Sequence, residues 1–218
     1  MKRLASPWLL LLFGLGLPLA AQEYRVGVAF DLGLPMGAFY NTSYGPAGNV
    51  NYTVNQGYNV GTGFALSLTL IPQDSQVAVR FSLTQMSFSG HANALEPGTL
   101  ALEGGLHQRT YAFGTDAQVF FSGSQAAART GTYLLGGLSL DQERFDTGAS
   151  PFNGGIASSL NETRLALVYG LGHQFPLGSG NLRGTLELAY HKTLSLTNTA
   201  AGDPPAANYL RLSAGLLF

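Results

Sequence analysis

Tyr24-Arg-Val-Gly-Val-Ala-Phe-Asp-Leu-Gly-Leu34 is the stretch on which the fold turns. Every second residue, Tyr24, Val26, Val28, Phe30, Leu32 and Leu34, is large and apolar, and Arg25, Gly27, Ala29, Asp31 and Gly33 lie between them. A period of two belongs to a strand whose faces meet different surroundings. A globular strand usually runs about five or six residues. This one is nearer the ~9–11 that cross a bilayer at a tilt.

The rhythm returns seven times. It appears in Val60, Thr62, Phe64, Leu66, Leu68 and Leu70, then in Val77, Val79, Phe81 and Leu83. Tyr111 to Phe121 is the least regular repeat, with Arg109 near its upper end. Leu134 to Leu140, Leu165 to Phe175 and Leu182 to Tyr190 follow, and Leu210, Leu212, Ala214, Leu216 and Phe218 finish the series. Connections at 72–75, 122–131 and 176–181 alternate with longer ones at 35–58, 89–107, 142–162 and 195–207. Short turns at one end and long loops at the other are expected of an outer-membrane barrel, and an even strand count lets the last strand close on the first.

Alternation does not say which face of a barrel is wet, since a soluble barrel has the same period with its apolar face inside. The residues between the large apolar ones, charges apart, are mostly Gly, Ala, Ser and Thr. These are too small for an apolar core but suit a narrow polar lumen. Aromatic residues fall near strand ends at Tyr24, Phe121, Phe175, Tyr190 and Phe218, as interfacial girdles do. The expected fold is therefore all-β, an eight-stranded antiparallel up-and-down transmembrane β-barrel over 22–218.

Composition agrees. Only 11% of the 218 residues are charged, against roughly 25% in ordinary soluble domains. With 10 Tyr and 13 Phe the chain is not of disordered type. No basic patch offers itself to phosphates, so nucleic acid is excluded as a partner. The absence of Cys removes disulfides and thiolate sites and suits an exported protein. Residues 1–21 read as a signal peptide: Lys2 and Arg3, an apolar run from Trp8 to Leu17, then a small-residue cleavage site at Ala20-Ala21.

The last strand, Tyr209-Leu-Arg-Leu-Ser-Ala-Gly-Leu-Leu-Phe218, resembles the assembly signal of bacterial outer-membrane proteins, with Phe218 as its final residue. From 22 to 218 the chain is similar in architecture to the small eight-stranded outer-membrane barrels: the barrel domain of outer membrane protein A and the outer membrane protein X and W families. No motif beyond the terminal strand is shared, so no functional residue carries over, and no periplasmic peptidoglycan-binding domain is expected after Phe218. The resemblance implies a monomer in the outer membrane, with lipid, a lipopolysaccharide-like glycolipid and the barrel-assembly machinery as partners.

With apolar faces toward lipid, Asp31, Arg80, Asp116, Glu187 and Arg211 point inward near mid-height. An unpaired charge there costs several kcal/mol, so pairing is expected. Counting from strand centres sets Arg80 level with Asp116, and Arg211 level with Asp31. Arg109, Asp141, Arg164 and His191 form a second inward tier nearer the outer mouth. Such charges serve either as a polar gate or as a salt-bridged filling for a lumen barely wide enough for side chains. Inward Phe120, Tyr133 and Leu135 are the signal for a narrow channel.

His191 and Ser195 raise a lipid A-modifying hydrolase, which needs a base within reach of the hydroxyl and a third group to orient it, but their spacing does not match the His-x-Ser arrangement of the lipid A deacylases. His91, His107 and His173 are scattered, so no metal site or cofactor is expected. The loop at 35–58 carries no charge, and holds Phe39, Tyr40, Tyr44, Tyr52 and Tyr58 among several Asn. Aromatic and amide groups together suit a surface glycan or protein ligand; the alternative is a hairpin prolonging strands one and two. The expected role is structural and surface-interacting, with the narrow channel second and the enzyme third.

Overall fold

The computed structural model describes residues 22–40, 42–44, 53–72, 75–95, 102–121, 130–147, 158–194 and 207–218, so the expected signal peptide lies outside the described residues. In chain order the elements are β1 (Gln22–Pro35), a 3-10 turn (Gly37–Phe39), β2 (Thr42–Tyr44), β3 (Thr53–Tyr58), β4 (Gly61–Pro72), β5 (Val77–Leu95), β6 (Leu102–Phe120), β7 (Gly131–Thr147), β8 (Ser158–Pro176), β9 (Arg183–Leu194) and β10 (Tyr209–Leu217). β1 pairs with both β4 and β10, and every other wall strand pairs with its neighbours. The β5–β6 ladder completes a closed antiparallel barrel of eight strands: β1 and β4–β10.

Closure leaves no edge in the wall. One hydrogen-bonded row runs from Tyr24 through Leu70, Val79, Ala117, Gly136, Tyr169, Tyr190 and Leu210 back to Leu34, ten residues further along β1. A stagger of that size over eight strands sets a tilt of about 40° and about 2.5 Å of height per residue.

Side chains sort by parity. Tyr24, Val28, Phe30, Phe64, Leu66, Phe113, Leu138, Tyr169, Leu188 and Leu212 are all exposed on the outer face. They form an apolar belt round the barrel, roughly 25 Å tall at this tilt, the height of a membrane barrel's hydrocarbon band.

β5–β8 are longer than the apolar rhythm indicates. Much of the expected loops 89–107 and 142–162 is strand, leaving connections of 96–101 and 148–157. The ladders continue because backbone pairing needs a neighbouring strand, not an apolar side chain. Alternation marks only the part of a strand that lies within the belt.

The segment 35–58 contains the hairpin that prolongs the first two strands of the wall: β2 and β3 pair with each other, and β3 carries the line of β4 on along the upper part of β5. Tyr58 faces Gly90 while Thr62 faces Ser87, so the β3–β4 line carries one extra residue against β5. That is a β-bulge, and it changes which residues turn inward: Tyr58 above it and Gly61 below it are both buried.

Candidate functional site

The lumen is filled in layers. At the end holding the short turns, the rings of Phe120 and Tyr133 meet at 4.9 Å, with Leu135 and Ile71 buried in the same cluster. The bare backbone of Tyr133's direct cross-strand partner on β8, Gly172, makes this possible. A methyl group on Gly172 would stand 2.3 Å from the Tyr133 ring, so the absence of a side chain there is what admits the ring.

Above this lies the first charged layer. The Arg80 Nε donates to Asp116 at 3.0 Å, and its Nη1 donates to Glu187. Arg80 and Asp116 face each other directly across β5 and β6. Glu187 also accepts from the Tyr133 hydroxyl at 2.5 Å and comes within 3.8 Å of the Arg211 guanidinium. One carboxylate thus joins strands β5, β7, β9 and β10. Asp31 is fully buried, and it accepts from Ser213, its direct cross-strand partner. Arg211 stands opposite Gly33 and reaches Glu187, so the closing seam is offset by two residues from the Arg211–Asp31 pairing suggested by strand centres.

The second tier is assembled from three of its four expected members. His191 Nε2 lies 2.6 Å from Asp141, which also accepts from the Ser139 hydroxyl. Arg164 bridges Glu162 and, at 3.4 Å, the fully buried Glu143. Arg109 does not belong here. It shares the parity of Tyr111 and Phe113, both exposed outside, whereas Thr110 and Ala112 turn inward. The expectation failed because it took Arg109 as inward for its charge, although its odd position puts it with the outer set.

At the far end the lumen closes on aromatic rings. Phe39, on the 3-10 turn, stacks on Tyr58 at 4.6 Å and meets Phe88 edge-on at 4.9 Å. Phe88 touches Tyr209 at 5.2 Å, and Tyr209 stacks on His191 at 4.6 Å. Phe39 and Tyr58 were expected among surface-loop aromatics, but both are buried: the turn after β1 folds back over the mouth, and the bulge swings Tyr58 inward. Tyr40 is exposed; the side chains of Tyr44 and Tyr52 lie outside the described residues, as does Ser195. Met86 and Phe88 were missed because the third repeat was read only as far as Leu83. Their even numbers, shared with Arg80, were the available signal.

Little space remains. A polar void of about 30 Å³, lined in part by Asp31, Arg80, Gln118, Gln174, Glu187 and Arg211, has room for a water or two and none for a larger solute. Among the described residues no group of three or more His, Asp or Glu side chains gathers as a metal site requires. His191 is committed to Asp141 and a tyrosine ring, with its partner's other oxygen taken by Ser139.

No family model matches this chain, and no curated protein does. Among solved structures it is similar to neisserial surface protein A (NspA), with a TM-score of 0.40 and 15% identity, covering 90% of this chain and 97% of that one. It is also similar to the translocator domain of the autotransporter NalP from Neisseria meningitidis, with a TM-score of 0.29 and 14% identity, covering 94% of this chain and 90% of that one. Both likenesses are too distant to carry function.

Proposed function

We infer that the chain is a bacterial outer-membrane barrel with a structural and surface-interaction role, neither an open channel nor an enzyme. The observation behind this reading is a two-sided barrel, with a continuous apolar belt outside and a lumen filled by paired charges between two aromatic seals. In water such a belt would be a very large exposed apolar patch. In a bilayer it is the surface that lipid requires, and no wall strand has an unpaired edge in the hydrocarbon. The Phe120, Tyr133 and Leu135 trio that suggested a channel instead obstructs one.

The test is conductance of the mature protein in planar bilayers, after heat-modifiable gel mobility has established folding. The expected result is a folded, silent barrel. Discrete openings in the wild type that change in Arg80→Ala would overturn the filled-lumen reading and make the charges a gate.

A further inference from the structure

Arg109 and Arg144 stand directly opposite each other on β6 and β7, both exposed on the outer wall. Like charges in that relation destabilise an antiparallel pair. Asp146 takes the Nε of Arg144 at 3.1 Å, while Arg109 has no ion-pair partner among the described residues. The outward neighbours of the two are His107, Ser87, Tyr111, Gln142 and Asn161, which supply no further anion. At this tilt both arginines lie roughly 5 Å beyond the loop-end edge of the belt, the level of lipid headgroups. Just below them the wall has a notch of about 610 Å³, lined chiefly by Phe64, Leu66, Leu83, Tyr111, Phe113 and Leu140.

We propose that this notch and the arginine pair form a binding site for one phosphorylated, multiply acylated glycolipid of the outer leaflet. An acyl chain lies in the notch, and a phosphate monoester sits between the two guanidiniums. The phosphate turns a repulsive cross-strand pair into a bidentate anion clamp, the geometry in which Arg surpasses Lys. Gln142 and Thr163 at the rim of the notch face the sugar. The proposal rests on the membrane reading above.

The probe is lipid A, titrated against the folded protein in zwitterionic nanodiscs and counted by native mass spectrometry. Phosphatidylglycerol and inorganic phosphate run as parallel arms. Wild type should hold one lipid A at least tenfold more tightly than phosphatidylglycerol. R109Q/R144Q should lose at least tenfold, and Leu83→Trp, which fills the notch and spares both arginines, should weaken binding as well. Lys192→Gln removes an outward charge that is not part of the notch and should change binding less than twofold.

Equal losses in Lys192→Gln and the arginine variant would overturn the site in favour of diffuse charge attraction. Displacement of lipid A by inorganic phosphate at constant ionic strength would reduce the site to a plain anion clamp and overturn its lipid part. Indifference to Leu83→Trp would do the same. A protein that fails to fold into lipid at all would overturn the membrane reading itself, a result that gel mobility separates from folded protein lacking lipid A.

Discussion

Replacing Glu187 with Ala tests the central layer of the lumen. Its carboxylate takes a hydrogen bond from Arg80 and one from Tyr133, and balances Arg211. The substitution leaves Arg80 with Asp116 alone and Arg211 with no carboxylate within ion-pair distance among the described residues. Breaking a buried pair by removing one partner costs about 3–5 kcal/mol, and a buried hydroxyl that loses its acceptor adds roughly 1. With a urea slope of about 2 kcal/mol/M, the unfolding midpoint should fall by about 2–3 M.

Glu187→Gln keeps the volume and an acceptor for Tyr133, so it should show most of that loss if charge, and not packing, is responsible. The only Trp is Trp8, within the expected signal peptide. Unfolding of the mature protein in lipid vesicles is therefore followed by far-ultraviolet circular dichroism and gel mobility. A cycle of Arg80→Gln with Glu187→Gln should give a coupling of about 0.5–3 kcal/mol. A midpoint shift below roughly 0.5 M at that slope, or strict additivity in the cycle, would refute the hub.

The belt makes a second prediction. Leu66 is exposed near mid-height, and Leu66→Arg should cost about 2–4 kcal/mol in bilayers, while Arg109→Leu, at the headgroup level, should cost at most about 1. Equal costs in a vesicle unfolding assay would mean that the wall does not face hydrocarbon. Gly172→Val should push into the Tyr133 ring and lower stability by roughly 1–3 kcal/mol, whereas the same change at Gly136, where a methyl group meets nothing within 4 Å, should be milder. Indistinguishable thermal midpoints for the two would remove Tyr133 from its place over Gly172.

The alternation from Tyr24 to Leu34 and its repeats sufficed to establish the strands, their number and their two faces. A strand's period of two assigns each residue a side without reference to its neighbours. Zero Cys and few charges fixed the class for the same reason, because composition needs no coordinates. The inward direction of Asp31, Arg80, Asp116, Glu187 and Arg211 follows from parity alone, and parity also places Arg109 outside once it is trusted over the charge.

What parity does not contain is register. Counting from strand centres sufficed for Arg80 and Asp116 on adjacent strands, but Arg211 meets Glu187 and not Asp31, because closure fixes a ten-residue stagger round the ring, and that is a property of all eight strands together. The aromatic seal depends on geometry that no local pattern encodes. A turn after β1 brings Phe39 back over the mouth, and one extra residue between Tyr58 and Thr62 turns Tyr58 inward. The Arg109–Arg144 pair likewise exists only because β6 and β7 run on past the belt, where side-chain chemistry falls silent and backbone hydrogen bonding alone decides how far a strand extends.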